Sequence, residues 1–489
     1  MILKNPVYPP GHTEHQDDGH KKLSVFFAAL CIIDLFGVFP IVTLPKSLIS
    51  CGVYAFPLIL FVFSLQIYTA VVLGRCWVIA EKLDPRILRK NRYPYAAIAE
   101  FSYGTGMRIF VTILLDLTVF GAGIPNLLVA SQNLQLLGLR ISNDSFNFSF
   151  CYFLLIIGLF LSPLMWLGSP KNMRFLASIS VCICTSVAVM TWICVYWETD
   201  DPAVTPIEEF DPKHPPWMNL LKAYGIIAFQ FDIHPMLLTI QVDMQDKTKI
   251  GRAVFSGIVF TCMLSLITTF MVFYTYEQSI ASNVLESLPK SWTLYVIILL
   301  VTLQLCLSSA VGNSALFQHI EDLLGIQRHF NIGRCIVRSI LVWLAVFLGE
   351  LIPKFDLVMG VIGGTLTGPL IFILPPLFYT KLLQLEKIHD EEMRILMLEE
   401  YMNDEDPLIK LPKYGAIAEF HSTSDESLAS RCQEGIMKLL RSEYTLSIVV
   451  IVFGILATLT STFFNMKDFQ NFNFWSPCIR VFTEDTQQP

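Results

Sequence analysis

The chain has 489 residues, of which 54% are hydrophobic, 12% aromatic and only 15% charged. That balance describes a protein whose solvent is mostly lipid, and it offers nothing that points to nucleic-acid binding. The net charge of −7 says less than the placement of Lys and Arg, which sets how such a chain is threaded through a bilayer.

Residues 1–22, ending HTEHQDDGHKK, lack the apolar core of a cleavable signal, so the first membrane segment is expected to direct insertion. A bilayer core of about 30 Å needs about 20 apolar residues per helix. Eleven runs meet this: 23–50, 53–80, 107–137, 149–167, 172–197, 217–241, 252–276, 290–317, 333–352, 355–380 and 444–466. With the N-terminus placed in the cytosol, 25 of the 34 basic residues fall on the cytosolic side and eight on the other, with Arg75 inside span two. This asymmetry supports the span count and the orientation together. The acidic stretch ETDDPAVTPIEEFD and the glycosylation sequons at Asn143 and Asn147 then lie outside.

The expected organisation is a cytosolic tail (1–22), a ten-helix core (23–386), a cytosolic linker (387–442), an eleventh helix (443–466) and an extracytosolic tail (467–489). The linker is charged, should begin as a helix, and contains DEDPLI and YGAI, which have the form of sorting signals. The membrane of residence is therefore the plasma membrane or an endolysosomal one. The twelve cysteines show no CxxC pair or Cys/His cluster, so no metal or cofactor is implied, and most read as small packing residues. Cys51 and Cys478 fall on the same side and form a candidate pair. No nucleophile, metal cluster or phosphate loop lies outside the apolar spans, which speaks against an enzyme.

Ionisable and helix-breaking residues inside the spans are the functional candidates, because a charge in the bilayer is costly. Span one carries Asp34 near mid-depth, followed by Gly37, Pro40 and Pro45. Span six carries Asp232, His234 and Pro235 at comparable depth. Span three adds Asp116 and the breaker-rich GAGIPN, and span eight adds Ser308, Ser309 and Asn313. Two broken spans five helices apart cross the membrane in opposite directions, the pattern of a five-plus-five inverted repeat. The fold class expected is an all-α polytopic membrane protein of eleven transmembrane helices with discontinuous helices 1 and 6. The ends of such broken helices attract a carboxylate at N–H groups and an amine or cation at carbonyls, which suits an amino acid.

At these residues the chain resembles the amino acid/auxin permease family of the amino acid, polyamine and organocation superfamily. FPIVTLPKSLISCG is similar to that family's first broken helix, AFQFDIHPMLLTIQVDM to its sixth, GSPKNMRFLASIS to the connection between its fourth and fifth, and VIGGTLTGPLIFILPPLFY to its tenth. Where the family commonly has glycines, this chain has Val38, Phe39 and Pro40 at the first break, and Asp232 and Ile233 at the sixth. The resemblance implies a secondary transporter of amino acids working by alternating access, or a non-transporting amino acid sensor on the same fold. It implies a substrate site from Gly37, Val38, Phe39, Pro40 and Ile41 in span one and Phe229, Asp232 and Ile233 in span six. Asn126 and Ser309 are expected as its walls. Asp34, Asp232 and His234 are the candidate proton carriers, with sodium as the alternative coupling ion.

Overall fold

The computed structural model describes residues 22–90, 93–143, 148–166, 173–197, 216–276, 280–327, 330–403 and 442–467. Asn147, Cys478, both linker motifs and both tails lie outside them. Among the described residues nine helices are long and apolar enough to cross a membrane, and two shorter apolar helices, Val25–Phe36 and Phe150–Trp166, complete the eleven expected. No strand forms among these residues; Leu23 makes an isolated parallel bridge to Met244.

Span one is stepped rather than continuous. Helix α1 (Val25–Phe36) is capped by the Ser24 hydroxyl, which accepts from the Phe27 N–H at 3.4 Å. It stops because Gly37 adopts φ 59° and ψ −148°, a conformation that side-chain-bearing residues rarely reach. One turn follows as α2 (Phe39–Val42), then α3 (Leu44–Ser50). Pro40 and Pro45 each sit in the first turn of these pieces. An N–H there would have no intrahelical partner, so the missing donor costs nothing.

Helix α4 (Ala55–Leu83) forms span two, and a shorter helix α5 (Pro94–Tyr103) leads into α6 (Thr105–Ile141), span three. Helix α6 runs without interruption through Pro125, although GAGIPN is rich in breakers. Its glycines instead admit neighbours: a Cβ on Gly121 would meet Ile362 at 2.8 Å. Helices α7 (Phe150–Trp166) and α8 (Met173–Trp197) close the first repeat.

The second repeat opens with α9 (Pro216–Gln230), a break at 231–233, and α10 (His234–Val242), with Pro235 again in the first turn. Helix α11 (Ile250–Tyr276) is span seven, and the short α12 (Val284–Ser287) precedes α13 (Trp292–Gly312). Span eight turns at Asn313 into α14 (Ser314–Leu323), and α15 (Ile332–Leu351) is span nine. Span ten starts as α16 (Phe355–Ile362), passes through two π-helical turns at Gly363–Thr367 and Pro369–Ile373, and continues as α17 (Leu374–Asn403), well past residue 386. The widened turns coincide with a close helix–helix approach: a Cβ on Gly363 would collide with the Gly225 carbonyl oxygen of α9. Span eleven, α18 (Ser442–Lys467), closes on the same seam. There the Ser461 hydroxyl donates to the Leu221 carbonyl at 3.4 Å, and Asn465 donates to the Ser461 carbonyl at 2.8 Å.

The candidate pairing of Cys51 with Cys478 is overturned at its first member. Cys51 is a free thiol whose Sγ lies 3.2 Å from the Ser47 carbonyl and 3.7 Å from that of Asn219. Among the described residues it is Cys151, at the start of α7, that is disulfide-bonded.

Candidate functional site

The two breaks are held in place by neighbouring helices. Ser265 of α11 donates to the Pro40 carbonyl at 2.6 Å, and Gln230, the last residue of α9, donates to the Thr43 hydroxyl at 2.8 Å. Thr43 in turn donates to the Phe39 carbonyl at 3.0 Å. At the second break the Asp232 carboxylate accepts from the His234 backbone N–H at 3.1 Å and so holds the start of α10. The His234 ring is fully buried, with Nε2 3.1 Å from the Thr69 hydroxyl of α4 and Nδ1 3.7 Å from Asp232. On the α4 side, Gln66 donates to the Ala228 carbonyl at 3.1 Å.

Between the breaks lies a cavity of about 140 Å³, walled by α1, α2, α6, the 229–236 stretch and α13. Of the expected site residues, Gly37, Phe39, Asn126, Phe229, Asp232 and Ser309 border it, as does Asp34. Val38, Pro40 and Ile41 do not; they are buried at the start of the resumed helix α2. Ile233 and His234 are also fully packed behind the second break. Asn143 is a surface residue after α6, where the Lys290 ammonium bonds its side-chain oxygen.

Among the wall residues that the sequence reading did not single out is Gln304. Gln304 of α13 is 1% exposed and stands over the first break, where a Cβ on Gly37 would come within 2.7 Å of its Nε2. Its Nε2 donates to the Ser180 hydroxyl of α8 at 3.3 Å, and Ser180 hydrogen-bonds the Asp34 carboxyl. Its Oε1 is buried and finds no hydrogen-bond partner among the described residues. A polar residue in the apolar run VTLQLCL was the available signal. Asp116 of α6, a further carboxylate within a span, is paired with His319 Nδ1 of α14 at 2.5 Å.

Two further cavities border the site on one side. A cavity of about 40 Å³ shares Asp34, Leu35 and Met236 with it and reaches Leu23 and Asp243. Another of about 60 Å³ shares Val119, Pro235 and Met236 and reaches Tyr93. Both lead to the ends of the spans where Lys and Arg are concentrated. In the opposite direction Val38, Ile41 and Val42 pack with Ile124, Leu127 and Leu128 in one apolar cluster.

The transmembrane amino acid transporter protein family matches residues 21–403, which takes in both breaks and the whole ten-helix core. The chain belongs to this family. Like other members of the transmembrane amino acid transporter family, it has transporters as its relatives. It is 23% identical over 354 residues to the amino acid transporter AVT1C of Arabidopsis thaliana, covering 70% of this chain and 60% of that one. It is 28% identical over 171 residues to the human sodium-coupled neutral amino acid transporter 4, covering 34% of this chain and 31% of that protein. The chain thus matches less than two thirds of the length of either relative. Among solved structures, MhsT in complex with L-phenylalanine aligns with a TM-score of 0.53 at 10% identity, covering 90% of this chain and 99% of that one, which shows a shared fold.

Proposed function

We propose that the protein is a secondary active transporter of amino acids, working by alternating access and coupled to protons. The observation that carries this reading is the cavity set between two broken helices, with the carboxylates of Asp34 and Asp232 on its wall. An amino acid brings one charge of each sign. The first turn of a resumed helix presents N–H groups to a carboxylate, while the carboxylates and helix-end carbonyls suit an ammonium. Both relatives named above are amino acid transporters by description.

Asp34 and Asp232 are the proton carriers of this scheme, with His234 as the relay behind Asp232, since a carboxyl can load and unload a proton without a dedicated cage. The human relative is described as sodium-coupled, which makes sodium the alternative to be tested. Two cavities beside the site lie towards the Lys/Arg-rich face, which fits an inward-facing member of an alternating-access cycle. A cytosolic N-terminus is supported by the charge asymmetry and by Cys151, whose disulfide belongs on the oxidising, extracytosolic side. That side also carries Asn143, a candidate glycosylation site.

The test is uptake of labelled amino acids into vesicles reconstituted with the full chain, under an imposed pH gradient and then a sodium gradient. Accumulation driven by the pH gradient is expected. Accumulation driven by sodium alone would replace the proton in the scheme, and binding without flux under either gradient would mark a sensor.

A further inference from the structure

Behind the central cavity lies a second space that the transport scheme leaves unused. It measures about 20 Å³, enough for about one methyl-sized group, since one water-sized sphere occupies roughly 10–15 Å³. It sits between α6, α7, the α13–α14 turn and α15. Its far wall is apolar throughout, formed by Phe120, Leu161, Leu341, Val342 and Ala345 among others, and no charged residue lines it. Gly123, Ser309 and Asn313 line both this space and the central cavity, so they form the doorway between them. The doorway depends on a missing side chain: a Cβ on Gly123 would lie only 3.2 Å from Asn313 Nδ2.

We propose that this space is the side-chain subsite, so that the protein selects amino acids with a branched or extended apolar side chain over glycine and alanine. This rests on the central cavity holding the amino and carboxylate groups of an amino acid. The polar groups then stay at the helix breaks, and the side chain passes Gly123 to place its terminal methyl group against Val342 and Ala345. Charged side chains are excluded, because nothing in the wall would pair with them. Removing one or two methyl groups from the ligand leaves the space empty, and each methylene in an apolar pocket is worth about tenfold or more in discrimination.

The experiment measures thermal stabilisation of the purified full chain by alanine, valine, leucine, phenylalanine and lysine, read as apparent affinities, with vesicle flux measured in parallel. Leucine is expected to bind about tenfold or more tightly than alanine, and lysine not at all. Ala345→Leu fills the space and should collapse the leucine-to-alanine ratio towards one. Val342→Ala enlarges it and should shift preference towards phenylalanine; this second variant decides the matter if the first does not fold. Equal affinity for alanine and leucine in the natural chain, or an unaltered ratio in both variants, overturns the subsite and leaves the transport reading standing. Leucine-selective binding without flux supports the subsite and overturns transport. Binding of none of the five amino acids overturns both.

Discussion

The side chain of Gln304 occupies the place where a side chain at Gly37 would have to go. A Cβ there would lie 2.7 Å from Gln304 Nε2 and 3.0 Å from Oε1, and Gly37 has φ 59°. The glycine is therefore required twice, by the backbone and by the neighbour. Gly37→Ala should cost about 1–3 kcal/mol of strain and also displace Gln304 from Ser180, disturbing Asp34. Uptake is expected to fall by at least an order of magnitude, with a lowered melting temperature. Gly52→Ala is the control: it has a similar φ of 57° with nothing within 4 Å, so it should carry only the backbone cost and leave transport intact.

Asp232 holds the second break and is the proposed proton carrier, two roles that a single substitution separates. Its Oδ1 accepts from the His234 N–H at 3.1 Å, and an asparagine oxygen can do the same. Asp232→Asn should thus keep the second break folded while removing the ionisable group. For one proton per substrate, a pH gradient of one unit corresponds to about tenfold accumulation. The variant should accumulate substrate only to equilibrium while still exchanging external for internal substrate. Unchanged accumulation would remove Asp232 from the coupling mechanism.

The spans were legible because lipid imposes a crude rule, about 20 apolar residues per crossing, that needs no knowledge of partners. The breaks were legible for a similar reason: Gly37 admits a positive φ, and Pro40 and Pro235 suit the first turn of a resumed helix. The rest depends on which side chains meet across long separations. Gln304 meets Ser180 across 124 residues, and nothing local in either span announces it. Pro125 reads as a breaker yet is absorbed within a continuous α6, and the π-helical turns of span ten arise where Gly363 packs on α9. The packing of Val38, Ile41 and Ile233 away from the cavity likewise depends on helix rotation, which local residue type does not set.

Helices α14 and α15 are tied by a buried ionic cluster. Arg338 is 1% exposed; its Nε donates to Glu321 Oε1 at 2.6 Å and its Nη1 to the Met165 carbonyl at 2.6 Å. Arg334 approaches the same carboxylate at 3.5 Å. Glu321→Ala would leave a buried guanidinium without its counter-charge, a loss of about 3–5 kcal/mol. Combining Glu321→Leu with Arg338→Met removes both charges and should recover much of that loss. The measurement is a double-mutant cycle on thermal unfolding in detergent. Additive losses, with no recovery in the double variant, would show that the pair is not coupled as the geometry implies.

The short helix α12, outside the membrane-spanning helices, carries a group that titrates near neutrality. Its Asn283 cap donates to Asn133 of α6 at 2.7 Å, and Arg140 donates to the Glu286 carbonyl at 3.1 Å, so α12 lies over the end of span three. Burial of the Glu286 carboxyl, together with Asp356 nearby, pushes its pKa from 4.5 up to about 7, against the opposing pull of Arg140. The folded protein then holds this proton to a higher pH than the unfolded chain does. The stabilisation it brings is complete below about pH 4.5 and is lost as the pH rises to about 7. The melting temperature of the natural chain should therefore rise on acidification from pH 8 to pH 5. Glu286→Gln, which is neutral at every pH, should flatten that dependence and raise the melting temperature at pH 8. A variant that retained the full slope would place the titrating group elsewhere.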